Sequence, residues 1–323
     1  LAAAVSNCGG LGSIAVGAGD AVAARQAINA ARAKTRAAFN VNVFVHAQPA
    51  RHSSIEGDWI AAMAPLFRQY DAEPPAELRV IYESFAGNDA MLDVLVESAP
   101  PVVSFHFGLP ENRRIQALKR AGCVLFATVT NLDEALTAEA AGIDALVAQG
   151  HEAGGHRGCF DPRVPDDMLG TMTLTRLLVS RCHRPVIAAG GIMDGAGIRA
   201  VLSLGAVAAQ LGTAFVLCPE SSADAGYRNA MEGPGARHTV MTSAISGRPA
   251  RCLANRFTAW GGDTLPPCPD YPLAYDAGKA LHAAARARGE HGFGAQWAGQ
   301  GAPLCRSLPA AELMTQLISE LRA

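Results

Sequence analysis

Paired cysteines are missing from this sequence: the eight cysteines stand singly at positions 8, 123, 159, 182, 218, 252, 268 and 305, with no C-x-x-C anywhere. That spacing supports neither a zinc site nor a disulfide framework. Scattered thiols in an alanine-rich chain are the usage of a reduced, cytoplasmic protein, with several of them expected to be buried as small hydrophobes. Charge is scarce too. Asp, Glu, Lys and Arg make up 17% of residues, the net charge is −2, and no basic stripe gathers anywhere, which argues against nucleic acid and anionic membrane as partners. Every apolar run is broken by Gly, Pro or charge before the roughly 20 residues that a membrane helix requires. What is plentiful is apolar material, 50% of 323 residues. That is enough for one large globular domain or two smaller ones, with small molecules as the expected partners.

Short β-rich runs alternate with helical stretches along most of the chain. The runs cover residues 11–16, 39–44, 102–107, 124–130, 145–149, 185–189 and 206–211, with helical patterns such as 21–34 and 111–121 between them. Runs so poor in charge suit parallel strands covered on both faces. Residues 1–5 read as the end of a helix, because Asn7 and Gly9-Gly10 follow where left-handed C-caps occur. Seven strands with a helix ahead of them predict a TIM (β/α)8 barrel whose first strand lies before Leu1; residues 79–85 are the alternative eighth strand. The rhythm fails after Phe215, and helical patterns return at 276–288 and 310–321. The expected division is therefore a barrel at 1–217 and a C-terminal helical and loop portion at 218–323 packed on it. Within the strands, Asn40 and Asn42 alternate with Val41 and Val43, and Ser104 and His106 alternate with Val103, Phe105 and Phe107. Strand parity puts the polar set inward and the aromatic set against the helices. His106 reads equally well as an active-site residue or a satisfied core histidine.

Three segments carry chemistry. Ala188-Ala189-Gly190-Gly191-Ile192 runs from an apolar strand into two glycines, and Gln210-Leu211-Gly212-Thr213 repeats that design one β-α unit later. Successive turns of this kind on the last two strands form the usual phosphate site of a barrel, although a glycine after a strand is by itself ordinary turn chemistry. The third segment, Gln149-Gly150-His151-Glu152-Ala153-Gly154-Gly155-His156-Arg157-Gly158, is a polar, glycine-dense loop after the preceding strand. A histidine there can exchange protons near neutral pH; in the bland alternative His151 and His156 are solvated and Glu152 pairs with Arg157 on the surface. The H-E-x-x-x-H spacing differs from the metalloprotease motif, which sets its histidines four apart on a helix, so no metal is expected. Gly10-Leu11-Gly12-Ser13-Ile14-Ala15 satisfies G-x-G-x-x-A by letter only, since a helix precedes it and a strand follows, the reverse of a dinucleotide fold.

Taken together, Ala2-Ala3-Ala4-Val5-Ser6-Asn7, Ser104-Phe105-His106-Phe107-Gly108, Glu152-Ala153-Gly154-Gly155-His156-Arg157-Gly158, Ala189-Gly190-Gly191-Ile192, Ser246-Gly247-Arg248-Pro249 and Ala298-Gly299-Gln300-Gly301 resemble the class I nitronate monooxygenases, formerly called 2-nitropropane dioxygenases. The resemblance covers nearly the whole chain, and the Glu152–Gly158 block is its most specific part. It implies a barrel that binds FMN non-covalently and oxidises alkyl nitronates with O2 to a carbonyl product and nitrite, propionate 3-nitronate being the usual physiological substrate. By position, Asn42, Gln149, Gly154, Gly190, Gly191, Gln210, Leu211, Gly212 and Thr213 would contact FMN and His156 would be catalytic, with His106 a possible second active-site residue. The family's first strand and its Pro-Met segment would lie before Leu1, and Trp297 stands where relatives often carry tyrosine. The residues fit that chemistry on their own: a nitronate is a delocalised anion able to give electrons to a flavin, and a neutral histidine can deprotonate the carbon of a nitroalkane. Two alternatives stay open, an NAD(P)H-dependent quinone or enoyl reductase on the same FMN barrel, and a barrel that binds a phosphorylated ligand without redox chemistry. Nitronate chain length and the choice between monomer and homodimer also stay open.

Overall fold

The computed structural model describes residues 1–262 and 265–323. Ten strands form among them: β1 (Gly12–Ala15), β2 (Phe39–Phe44), β3 (Val102–His106), β4 (Val124–Val129), β5 (Ala145–Gln149), β6 (Gly155–His156), β7 (Val186–Ala189), β8 (Ala208–Gln210), β9 (Thr239–Thr242) and β10 (Ala250–Leu253). Seven of them make one sheet in the order β1-β2-β3-β4-β5-β7-β8, parallel throughout. This is the expected α/β, TIM-barrel-like arrangement; all seven anticipated runs supply a strand, and residues 79–85 supply none.

The middle strands of the sheet, β2 to β5 and β7, are largely buried on both faces, which explains why their runs hold so few charges. On the outer face Val41, Val43, Val103, Phe105 and Leu125 pack against Ile28, Leu95, Ile115 and Leu118 of the flanking helices. On the inner face Ala145, Val147, Ile187 and Ala189 form a separate small cluster with Phe126. The first strands carry polar groups with the opposite parity to their valines. Asn40 Nδ2 donates to Ser13 Oγ and Ser104 Oγ, both at 2.8 Å, and Asn42 Nδ2 donates to Ser104 Oγ at 2.9 Å. Phe107 departs from the expectation that it would join the aromatic set against the helices. It lies just past the end of β3 at φ 77°, a conformation that is costly for a bulky residue and persists only where packing imposes it. There its ring meets His156, Tyr271 and the guanidinium of Arg248.

A second apolar cluster joins sequence-distant parts. Trp59, Met63 and Phe67, from the helix Ser53–Arg68, pack with Phe257, Leu273 and Leu281. A small antiparallel sheet, β6-β10-β9, then ties the loop after β5 to the C-terminal portion. No helix among the described residues is long and apolar enough to cross a membrane.

Candidate active site

The loops that follow the parallel strands surround a cleft, at the end of the fold where barrel enzymes place reacting groups. Thr128, Val147 and Ala189 form its floor. One wall consists of the turns after β7 and β8, with Gly190, Gly191, Gln210, Gly212 and Thr213. The opposite wall is the loop after β5, with Gln149 and Gly154, together with His106. Three of the residues singled out from the sequence do not line it. Leu211 turns into neighbouring apolar clusters, Asn42 is engaged by Ser104, and His156 stands beside the cleft.

The first wall is a donor surface. Gly190 and Gly191 have φ of 124° and 68°, values open to glycine at little cost, and a side chain on Gly190 would come within 2.7 Å of Thr171 Oγ1. Among the described residues, the backbone amides of Gly191, Gly212 and Thr213 donate to no protein acceptor. Thr213 Oγ1 accepts from the Gly299 amide at 2.9 Å, which leaves its own proton free to donate outward. Such converging donors suit an oxyanion. The helix Gly195–Ser203 contributes no residue to the cleft lining, and two of its first amides are already engaged: Gly197 N donates to Asp194 Oδ1 and Gly195 N to Glu320 Oε2 of the C-terminal helix.

The second wall is held by its own polar residues. Glu152 accepts from Thr171 N at 2.8 Å and from Thr171 Oγ1 at 2.9 Å. The buried Arg157 donates to Asp166 and to the Gln149 carbonyl. The surface pair between Glu152 and Arg157 therefore does not form; each instead anchors the loop. Gly154 is closed off by the Ala298–Gly299 segment, where an added Cβ would lie 2.4 Å from Gly299 N.

His156 is fixed from both sides. Its carbonyl accepts from Gln149 Nε2 at 3.0 Å and from His106 Nε2 at 3.2 Å, and its Nε2 lies 2.9 Å from Ser246 Oγ. Its ring sits among Trp297, Tyr271, Phe107 and Tyr275, with centroids 4.9 to 6.0 Å away. Burial, followed by the neighbouring His106, Arg248 and His46, pulls its pKa down to about 3. Burial likewise brings His106 to about 4. Both imidazoles are neutral at pH 7 and keep a lone pair able to take a proton. Sequence reasoning assigned no role to Ser246, Gly299, Phe107 or Tyr271. Ser246, Gly299 and Phe107 stood in visible glycine-bearing blocks, whereas Tyr271 reaches the site through tertiary packing and had no local signature.

These two depressed values, with His46, His151 and His282 lowered by burial in the same direction, contribute to the acid response of the fold. An unfolded chain takes up protons at its histidines below about pH 6.5, while the folded protein keeps His106 and His156 neutral to about pH 4 and 3. The unfolded state thus binds more protons in that window, and stability falls as the pH drops. Melting temperatures taken from pH 7.5 to 4.5 should decline steadily, and His106→Asn should flatten the decline. A profile independent of pH across that range would contradict the burial described.

A family model described as nitronate monooxygenase matches residues 1–320. The chain is 60% identical to a nitronate monooxygenase of Paraburkholderia phytofirmans, covering 100% of this chain and 88% of that one. It is 54% identical to a nitronate monooxygenase of Pseudomonas aeruginosa over 100% of this chain and 92% of the relative. Among solved structures, a nitroalkane oxidase from Streptomyces ansochromogenes superposes with a TM-score of 0.92 at 40% identity, covering 99% of this chain and 91% of its own. FabK from Thermotoga maritima superposes with a TM-score of 0.73 at 29% identity, with 99% and 88% covered. On a match that extends over almost its entire length, the chain belongs to the nitronate monooxygenase family of oxidoreductases.

Proposed function

We propose that the protein binds FMN and oxidises alkyl nitronates, propionate 3-nitronate among them, with O2 to a carbonyl product and nitrite. The observation that carries this reading is the convergence of two groups on one cleft: unpartnered amides at Gly191, Gly212 and Thr213, and neutral imidazoles at His106 and, just behind it, His156. The amides and the Thr213 hydroxyl would receive the phosphate, and Gln149, Gly154, Gly190 and Gln210 would border the rest of the cofactor. No Asp, Glu, Lys or Arg lines the cleft among the described residues, so these backbone dipoles would hold the phosphate without competition from a carboxylate. Bound FMN supplies the electron acceptor. His156, in the aromatic chamber beside the cleft, takes the proton from the carbon of a neutral nitroalkane, a step that an already ionised nitronate does not need. In this reading residues 1–217 hold the cofactor and residues 218–323 cover it, supplying Ser246, Tyr271 and Trp297 to the chamber.

The reductase alternative is separated by anaerobic mixing of the FMN-loaded protein. A nitronate should bleach the flavin band quickly and NADH should not. Fast bleaching by NADH with none by nitronates would assign the protein to the reductases instead.

A further inference from the structure

Ser246 has no part in the phosphate cradle, yet it is fully buried and touches the ring proposed to act as base. Two hydrogen bonds meet at its oxygen. Ser246 Oγ lies 3.1 Å from the Arg248 carbonyl and 2.9 Å from His156 Nε2. A carbonyl can only accept, so the single hydroxyl proton is directed to Arg248 O, and Oγ faces the imidazole with a lone pair. His156 Nε2 must then be the protonated nitrogen of the neutral ring. Nδ1 is left with the lone pair. It has no hydrogen-bond partner among the described residues, yet it is not one of the sealed, unpaired buried atoms, so it faces accessible space.

The main chain around the ring strengthens this fixation. β6 pairs His156 with Ala250 of β10, and the Arg157 amide donates to Pro249 O at 2.8 Å. The ring and the hydroxyl that orients it therefore hang from one antiparallel unit. Gly247 fixes the turn that presents Ser246: at φ 87°, a side chain there would lie 2.3 Å from Pro269 O.

From this geometry we infer that Ser246 is a positioning residue that locks His156 in its Nε2–H tautomer, so that Nδ1 is the atom that accepts the substrate proton. An orienting partner on the far nitrogen is the device by which active sites select an imidazole tautomer. The inference rests on His156 being the base, but the tautomer can be read independently of turnover.

The test is nitrogen-15 NMR of FMN-loaded protein labelled at histidine, with His156 assigned by the signals lost in His156→Asn. Wild type should show a pyrrole-type Nε2 and a pyridine-type Nδ1 for His156 at pH 7. Ser246→Ala should average the two signals through tautomer exchange and Ser246→Thr should restore the wild-type pattern. In turnover, Ser246→Ala should slow neutral nitroalkanes by about two- to tenfold, the scale of one neutral hydrogen bond, and Ser246→Thr should recover the loss. A pyridine-type Nε2 in wild type, or an unchanged pattern in Ser246→Ala, would overturn the inference. The wild-type spectrum decides even if a variant folds poorly. The assignment of His156 as base is judged separately by the turnover of His156→Asn, so the two claims can fail independently.

Discussion

His156→Asn should lower turnover of a neutral nitroalkane by about 10²–10⁴-fold, the usual contribution of a positioned general base. Turnover of a preformed nitronate should fall far less. The second substrate is already ionised and has no proton for a base to remove. Asparagine keeps a donor but has no basic nitrogen, and the backbone contacts from Gln149 and His106 to the carbonyl of residue 156 survive. FMN should stay bound. Because His156 remains neutral down to about pH 3, wild-type nitroalkane turnover should show no acid limb near pH 6.5. His106 is the competing assignment, as it lines the cleft. Its Nε2 already donates to the His156 carbonyl, so only its Nδ1 could act as a base. Intact nitroalkane turnover in His156→Asn together with its abolition in His106→Asn would transfer the role to His106.

Gly212→Asp should strip FMN from an otherwise folded protein. Gly191→Asp should do so too, but it is the less clean test, because Gly191 has φ 68° and an added Cβ would meet Glu152 Cβ at 3.2 Å. Gly212 has φ −113°, and a Cβ added to it would meet nothing within 4 Å, so the fold tolerates a side chain there. A carboxylate at that point would project into the proposed phosphate position, where repulsion and lost space both oppose binding. Far-ultraviolet circular dichroism should match wild type while the visible flavin band disappears on desalting. Gly212→Ala, smaller and neutral, should weaken retention less. Full flavin content in folded Gly212→Asp would place the phosphate elsewhere.

Much of this site was legible in the chain because barrel chemistry is written at strand ends. The glycines after β7 and β8 and the loop after β5 each follow a charge-poor apolar run, and a parallel sheet brings those ends to one rim. Parity also placed Asn40, Asn42 and Ser104 on a common polar face, as their mutual hydrogen bonds show. What sequence could not supply are the contacts that cross the chain. Glu320 occupies the start of the helix at Gly195, Ser246 meets His156, and Trp59 packs with Phe257 and Leu273. Phe107 obeyed neither parity nor propensity. It lies one residue beyond its strand, where φ 77° turns it out of the alternation, and only the surrounding packing on Tyr271 and Arg248 accounts for that conformation.

The decisive measurement is nitrite release in air from protein loaded with FMN and freed of excess cofactor. With propionate 3-nitronate as substrate, sustained nitrite production with oxygen uptake is expected, in proportion to bound flavin, and none from flavin-free protein or from FMN-loaded preparations of Gly212→Asp after desalting. Flavin-loaded protein that consumes no nitronate and releases no nitrite, or a wild-type protein that retains no FMN, would contradict the proposed function.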